Sequence, residues 1–570
     1  MRPAVGWAEG RRLLRMANCR EKRKLTLSLL KPWLLIFALL VGAQSALPSE
    51  PRPNILLIMA EDMSPRVGAF GDEVAVTPRL DALAERSVLY PNTFTTAGVC
   101  APSRAAQILG QHQIATGAQH MRTASFREAD YRAVPPAEVK AYPELLRREG
   151  YYTFVTRKLD YQFSDVALGS GPFSLWDHEG RQSNWHGREE GQPFFGFISL
   201  NETHESKLFP NETRTEPSQT TDLRGVDSSQ VTVPPYYPDH PVIRSDLAQH
   251  YKNIETMDAR VGAILDQLEA DGLADTTIVI WTTDHGDGLP RAKRELYDSG
   301  IKVPLLVHWP EGFKPKGTSS EGVDERLVSF VDIGPSVLQM AGLKTPDFMH
   351  GTPQLAQTDE AERQYIYASK DRIDQALFRE RAVRDHQYKY IQNLTPGKPG
   401  AARLAYRDRM PMMQELWRQH SAGTLNAAQA QWFAPRPSEE FYDVIADPHE
   451  IHNLAGDPKQ AASQARLKKA LTTFRASLPD FSDTPEREMA DIFWPQGVQP
   501  ITGVPRFDTQ ATDRMALIPA AAHDSIGYRI NGGPWRLYVT PLALETGTRI
   551  EAKSIRYGWA ESPTVVFTQD

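Results

Sequence analysis

The sequence is poor in cysteine: its 570 residues contain only two, Cys19 and Cys100. Cys19 falls in an N-terminal leader, so the mature chain has no second thiol with which to close an internal disulfide. A polybasic tract is missing as well. The formal net charge is −7, with lysine and arginine interspersed among the acids. That excludes the broad electrostatic footprint by which nucleic acids and anionic membranes are bound, so neither is expected as a partner. An anionic ligand must be met by a local cluster. Apolar runs are short too. The clearest, Trp33 to Val41, is too brief to span a bilayer comfortably, follows Lys22-Arg23-Lys24 and precedes small residues at Ala43 and Ala46. This is the layout of a secretory signal over residues 1–46, although a short uncleaved anchor would share it. The expected location is secreted or periplasmic, with no membrane contact after the signal is removed. No internal repeat or low-complexity tract stands out.

The chain is long enough for one large domain with appendages. From Asn54 to about Pro310 short apolar runs alternate with amphipathic stretches, which predicts an α/β fold with a mainly parallel sheet flanked by helices. Ile55 to Met59, Tyr152 to Val155, Phe194 to Leu200, Thr277 to Trp281 and Val303 to Val307 read as strands. Asp246 to Asp271 reads as the longest helix, with Leu247, Tyr251, Ile254, Met257, Val261, Leu265 and Leu268 on one face and Gly272 as its stop. The expected organisation is a large domain over 47–370, a smaller α+β subdomain over 371–490 and an all-β, sandwich-like module over 495–570. In that module Trp535, Tyr538, Tyr557 and Trp559 are available to stack on sugar rings, with packing the preferred reading.

Four of the five strands release polar residues just past their C-terminal ends: Glu61 and Asp62, Lys158, His204, then Asp284 and His285. In a parallel sheet these ends share one edge, where such folds place their sites. Glu61, Asp62, Asp284 and His285 form a mostly hard donor set suited to a divalent metal, Ca²⁺ or Mg²⁺ first, with Mn²⁺ or Zn²⁺ left open by the nitrogen. Solvated loop acids are the bland alternative. Cys100 opens Cys100-Ala101-Pro102-Ser103-Arg104, and a proline in a first helical turn puts the thiol at a helix N-terminus, where free N–H groups favour an anion.

This Cys-x-Pro-Ser-Arg sequence resembles the signature of the formylglycine-dependent sulfatases, of the alkaline phosphatase superfamily. Four further segments resemble that family in order: Pro53 to Asp62, Thr203-His204, Thr283-Asp284-His285-Gly286, and Gly300-Ile301-Lys302-Val303-Pro304. Tyr442-Asp443, Asp447-Pro448 and Asn453-Leu454 resemble its usual C-terminal ending. The resemblance implies the sulfatase fold and a Cys100 oxidised to formylglycine by a formylglycine-generating enzyme. It also implies a metal, Ca²⁺ expected, at Glu61, Asp62, Asp284, His285 and position 100. Arg104, Lys158 and Lys302 become contacts to the sulfuryl oxygens, with His204 or Lys302 as acid for the leaving group.

One departure stands out. Where the family commonly reads Gly-Lys-x-His, this chain reads Arg157-Lys158-Leu159-Asp160, so Asp160 takes the place of a histidine: either it is the base of the second step, or the site is tuned for something unusual. The substrate implied is a sulfated glycan, cut as a sulfate ester or N-sulfate. Val233-Pro234-Pro235-Tyr236 and the segment Leu289 to Tyr297 look most similar to the heparan N-sulfatase branch and its bacterial relatives. A phosphodiesterase or phosphonate monoester hydrolase of the same superfamily is the alternative enzyme, and an inactive carbohydrate-binding protein the alternative of another class. Arg291, Lys293 and Arg294 are candidates for a sugar's acidic group, with a solvated basic loop the preferred reading.

Overall fold

A computed structural model describes residues 51–210, 223–315, 321–355, 361–509 and 514–569. The expected leader over 1–46 and Cys19 lie outside the described residues. Among the described residues, no helix is long and apolar enough to cross a membrane.

Strand β1 (Asn54–Ala60) is buried at all seven positions, as a strand covered on both faces must be. It lies between β3 (Phe194–Leu200) and β4 (Thr277–Thr283) and pairs in parallel with both. Beyond β3 come β2 (Tyr152–Val155) and then His178–Glu179, both parallel. Beyond β4 the direction reverses, because β5 (Leu305–His308) pairs antiparallel with it. Val88–Leu89 and Gly322–Val323 complete an eight-stranded, mostly parallel sheet. The expected strand Val303 to Val307 is thus divided. Lys302–Val303 pairs with Thr93–Phe94 in a separate small sheet, and Pro304, which offers no N–H to a ladder, stands between the two pieces.

Helix α1 (Cys100–Leu109) packs on one face of the sheet, where Ile108 and Leu109 join Tyr142, Leu146, Ile333 and Val337. Helix α2 (Pro241–Ala270) covers the other face through Leu247, Tyr251, Ile254, Met257 and Val261. It starts five residues before the expected Asp246, because Pro241 suits a first helical position and His240 caps it by accepting from the Val242 N–H at 3.3 Å. It ends where expected, with Gly272 at φ +70°.

A four-stranded antiparallel sheet follows, Ile366–Lys370, Glu380–Arg384, Tyr388–Asn393 and Glu439–Asp443. One face meets Phe94, Tyr297 and Ile301, and the other receives Leu467 and Leu471 of the helix Ala461–Ser477. The last strands form two small antiparallel sheets around Met515, Leu517, Ile526, Ile550 and Ala552. Their attachment to the main body is specific. The buried Glu144 carboxylate accepts from Tyr557 Oη at 2.7 Å, Ser525 Oγ at 2.6 Å and Arg148 Nη2 at 2.7 Å. Tyr557 stacks on Phe163 at 4.8 Å, so it packs against protein and has no face free for sugar. Trp535 lies beneath the cations of Arg529 and Lys553.

Candidate active site

The ends of β1, β3 and β4 are in register: Ala60 pairs with both Leu200 and Thr283. Residues far apart in sequence therefore leave the sheet side by side. The Asp284 N–H donates to Ala60 O at 3.0 Å, and the Asp62 N–H to Asp284 Oδ1 at 3.1 Å. Asp62 sits at φ +55°, in the left-handed region that an aspartate tolerates better than most residues. Cys100 opens α1, whose ten residues are all buried. Its Sγ lies 3.4 Å from His285 Nε2 and 3.9 Å from Asp62 Oδ1.

Asp62, Cys100, Asp284 and His285 each offer a ligand atom within 4.8 Å of one another, and Glu61, Asp62, Cys100 and His204 form a second such group. Glu61 is turned toward Lys158, whose Nζ donates to its Oε2 at 2.7 Å. It shares a group with Asp62 and Cys100, but not with Asp284 and His285.

Burial would raise the Asp62 carboxyl, yet Lys293, His204 and His285 outweigh it and hold the group well below the usual range. Burial likewise pushes the Cys100 thiol up, and Lys158 and Lys293 overcome this to bring it to about 5. The site is thus built to hold negative charge at position 100. For His204, burial lowers the imidazole, but Asp62, Cys100 and Glu61 together outweigh it, so it is raised. Ser206 Oγ, 2.9 Å from Nδ1, holds the ring with Nε2 toward Glu61 at 3.9 Å.

A cavity of about 400 Å³ lies above this centre, lined by Glu61, Lys158, His204, Lys293 and Arg294, with Arg122, Arg157 and Arg181 among its walls. Two expected contacts sit elsewhere. Arg104 is fully buried behind Asp284, with Nε 3.0 Å from Oδ2 and Nη1 3.2 Å from Ser199 Oγ, and positions that carboxylate rather than lining the cavity. Lys302 pairs across to Phe94, and its charged neighbours are Asp298, Arg384, Lys389 and Glu325. The antiparallel turn into β5 takes it away from the cavity.

Lys293 stands there instead. Its Nζ is 2.6 Å from Asp62 Oδ2 and 3.0 Å from Glu205 Oε1, while Arg294 grips Glu205 with both terminal nitrogens at 2.9 and 2.7 Å. Arg291, Lys293 and Arg294 are all buried, which overturns the reading of a solvated basic loop. The acids Asp62 and Glu205 and the flanking Leu289, Leu296 and Tyr297 draw this segment inward. It is fastened by Arg294 N–H donating to Gly98 O at 2.7 Å, and a Cβ on Gly98 would come within 2.4 Å of Glu295 O.

Asp160 is not a free base. Burial would raise it, but Arg122 and Lys158 hold it far below the usual carboxylate range. Arg122 meets it with two parallel bonds, Nε to Oδ1 at 2.9 Å and Nη2 to Oδ2 at 3.0 Å. Arg122, Arg181, Glu205 and Tyr406 carry no motif. Glu205 was the most accessible to sequence reasoning, since it follows Thr203-His204 directly.

The family model described as Sulfatase matches residues 53–177 and 181–343, and one described as N-sulphoglucosamine sulphohydrolase, C-terminal, matches 291–398. An ulvan-active sulfatase of Formosa agariphila is 35% identical over 554 residues, covering 90% of this chain and 91% of its own. The N-sulphoglucosamine sulphohydrolase of Homo sapiens is 27% identical over 471 residues, covering 75% and 90%. In fold, the chain is similar to a solved 2-O GAG sulfatase with a TM-score of 0.54 at 20% identity, over 76% of this chain and 94% of the other.

Proposed function

The chain belongs to the sulfatase family, and on that premise we propose that it is an exported sulfohydrolase that removes sulfate from the end of a sulfated glycan. The observation that carries the reading is the position of Cys100, buried at the start of α1 between the Asp62, Asp284 and His285 donors and the ammonium groups of Lys158 and Lys293.

The donors fit a divalent cation. Two buried carboxylates and an imidazole converge on one point, a mostly hard set for which Ca²⁺ is the favoured ion. Asp62, Asp284 and His285 would hold it, with Glu61 at the margin, and it would supply positive charge against the sulfuryl oxygens. Cys100, once oxidised by a formylglycine-generating enzyme, supplies the paired hydroxyls by which this family attacks sulfur and then expels sulfate.

The remaining work falls to side chains already in place. Lys158 and Lys293 face the cavity as ammonium groups and neutralise the charge that grows on sulfuryl oxygens. His204, raised and held by Ser206 with Nε2 toward the cavity, is placed to protonate the departing oxygen or nitrogen. Arg104 fixes Asp284 from behind and, with His285, keeps it ionised against the effect of burial. Asp160 acts through Arg122, orienting its guanidinium at the cavity wall.

The 35% identical relative, named as ulvan-active, favours ulvan, and the human relative an N-sulfated glucosamine. The test is a panel of desulfation reactions on ulvan and heparin oligosaccharides beside an aryl sulfate, with free sulfate measured. Turnover of the aryl sulfate alone would reject the glycan; turnover of none would reject the activity.

A further inference from the structure

The reaction cavity does not end at its own wall. Asp374 and Tyr406 line it and also line a second cavity of about 660 Å³, whose other walls include Phe126, Arg127, Gln375 and Leu377. The two are consecutive compartments of one cleft. The first is walled largely by charged side chains, whereas the second sets the apolar surface of Phe126, Leu377, Ala405 and Tyr406 among charged groups that include Arg127, Glu128, Arg372 and Arg409. Leu377 is 59% exposed and Tyr406 40% exposed, unusual for large apolar side chains unless something covers them.

Both faces of the compartment are fixed. Tyr406 is braced edge-on by Phe209 at 5.0 Å, and Phe126 lies under the Arg372 guanidinium, which is itself locked onto Glu486 with Nη2 to Oε1 at 2.7 Å. Asp374 is set at φ +49°, its N–H donating to Met121 O at 3.2 Å and its own carbonyl accepting from Arg372 Nη1 at 2.9 Å. With its backbone so held, the Asp374 carboxylate feels the charge of Arg294 but makes no hydrogen bond among the described residues, and neither do the side chains of Gln375 and Arg127. Rigid apolar faces with a few unpaired polar groups at their rim match a sugar ring, which has one C–H face and an edge of hydroxyls.

We propose that this second compartment binds the sugar unit that follows the sulfated terminal residue, so that the enzyme selects oligosaccharides over sulfated monosaccharides. The inference rests on the sulfohydrolase reading and deepens it. The occupant is identified by continuity: a glycan whose sulfated end lies over Cys100 leaves the first cavity past Asp374 and Tyr406. The contrast in lining also specifies its chemistry. The second unit offers Leu377, Phe126 and Tyr406 an apolar face and offers Asp374 and Gln375 hydroxyl groups, and it carries no sulfate on the side facing Asp374, where the two anions would repel.

The test compares kcat/KM for tetrasaccharides from ulvan and from heparin, for sulfated monosaccharides matching their ends, and for an aryl sulfate. The full-length enzyme is expected to favour a tetrasaccharide over its monosaccharide by about threefold to tenfold, through KM. Leu377→Asp, at an exposed position that packing does not require, is expected to abolish that preference while leaving monosaccharide and aryl sulfate within about twofold. Equal kcat/KM for the two sugar lengths in the wild type would overturn the inference, as would a Leu377→Asp loss that is the same on all substrates. Loss of the sulfohydrolase reading shows separately, as no sulfate from any substrate. An arm independent of turnover is calorimetric titration of the tetrasaccharides into Cys100→Ala protein, where the Leu377→Asp change must weaken binding; unchanged affinity counts against the compartment.

Discussion

Arg122 meets Asp160 in a parallel, two-bond pairing, at 2.9 and 3.0 Å, at the wall of the reaction cavity. A carboxylate so held is a poor proton acceptor, because burial would raise it but Arg122 and then Lys158 depress it far more. Asp160→Asn is therefore expected to act on binding, raising KM about tenfold with a smaller fall in kcat and no shift in the pH profile of kcat. A kcat profile whose basic or acidic limb disappears in the variant would restore Asp160 as a base.

The Cys100 peptide of active enzyme is expected to carry an aldehyde in place of the thiol, read as a lower peptide mass. Cys100→Ala should remove turnover yet fold, since it deletes one sulfur that lies against Asp62 and His285 and leaves the Cβ in its apolar cluster. Active protein with an unmodified thiol throughout would contradict the assignment.

Metal content and rate should fall together. Asp62→Asn or Asp284→Asn each removes a converging carboxylate, and each is expected to lower kcat/KM by about 100-fold or more, with loss of bound metal by elemental analysis. An undiminished rate in metal-free protein would refute the cluster's role.

In the proposed reaction Lys293, which lines the cavity, takes the sulfuryl-oxygen contact expected of Lys302. Lys293→Gln removes an ammonium held between Asp62 and Glu205, and should lower kcat about 100-fold in protein that remains folded by circular dichroism. Lys302→Gln should stay within about twofold. The opposite ranking would return the sulfate contact to Lys302.

Stability should carry a pH signature from a group remote from the chemistry. Burial raises Asp246 to about 7, against a smaller lowering from the Met412 N–H that it accepts at 2.7 Å. A carboxyl raised in the folded state favours folding below its ordinary pKa and loses that contribution as pH climbs to about 7. Asp246→Asn keeps an acceptor for Met412 without the charge. Its Tm should exceed that of wild type by about 2–4 °C at pH 8, and the difference should vanish near pH 4. A constant difference across pH would show that Asp246 does not titrate there.

The strand ends were the most legible part of the molecule. Asn54–Ala60 is apolar throughout because both its faces are covered, and a parallel register carries Asp62, Asp284 and His204 to one edge. The reversal at β5 was not legible, since direction leaves no trace in an apolar run, and Lys302 was misplaced with it. Lys293 was discounted because three basic residues in four normally stay in water. What buries them are partners from elsewhere in the chain: Asp62 and Glu205 for Lys293, Glu205 for Arg294, and the Glu450 carbonyl with the Tyr236 and Tyr297 rings for Arg291. Arg122, Arg181 and Tyr406 reach the cavity from loops with no repeating pattern, so only the folded chain reveals them.

The Glu144 carboxylate has consequences for how the chain can be cut. Two of its donors come from the C-terminal part, Ser525 from the strand Ser525–Ile530 and Tyr557 from the turn after Arg549–Ile555, while Glu144 belongs to the helix Tyr142–Arg148, which leads directly into β2 and Lys158. A chain shortened before residue 500 would strip a buried anion of those two donors and uncover Phe163 at the same stroke. The terminal strands are therefore a keystone and not a detachable tether. A protease that nicks the chain between the two parts should leave them associated, whereas a gene that stops there should yield insoluble protein.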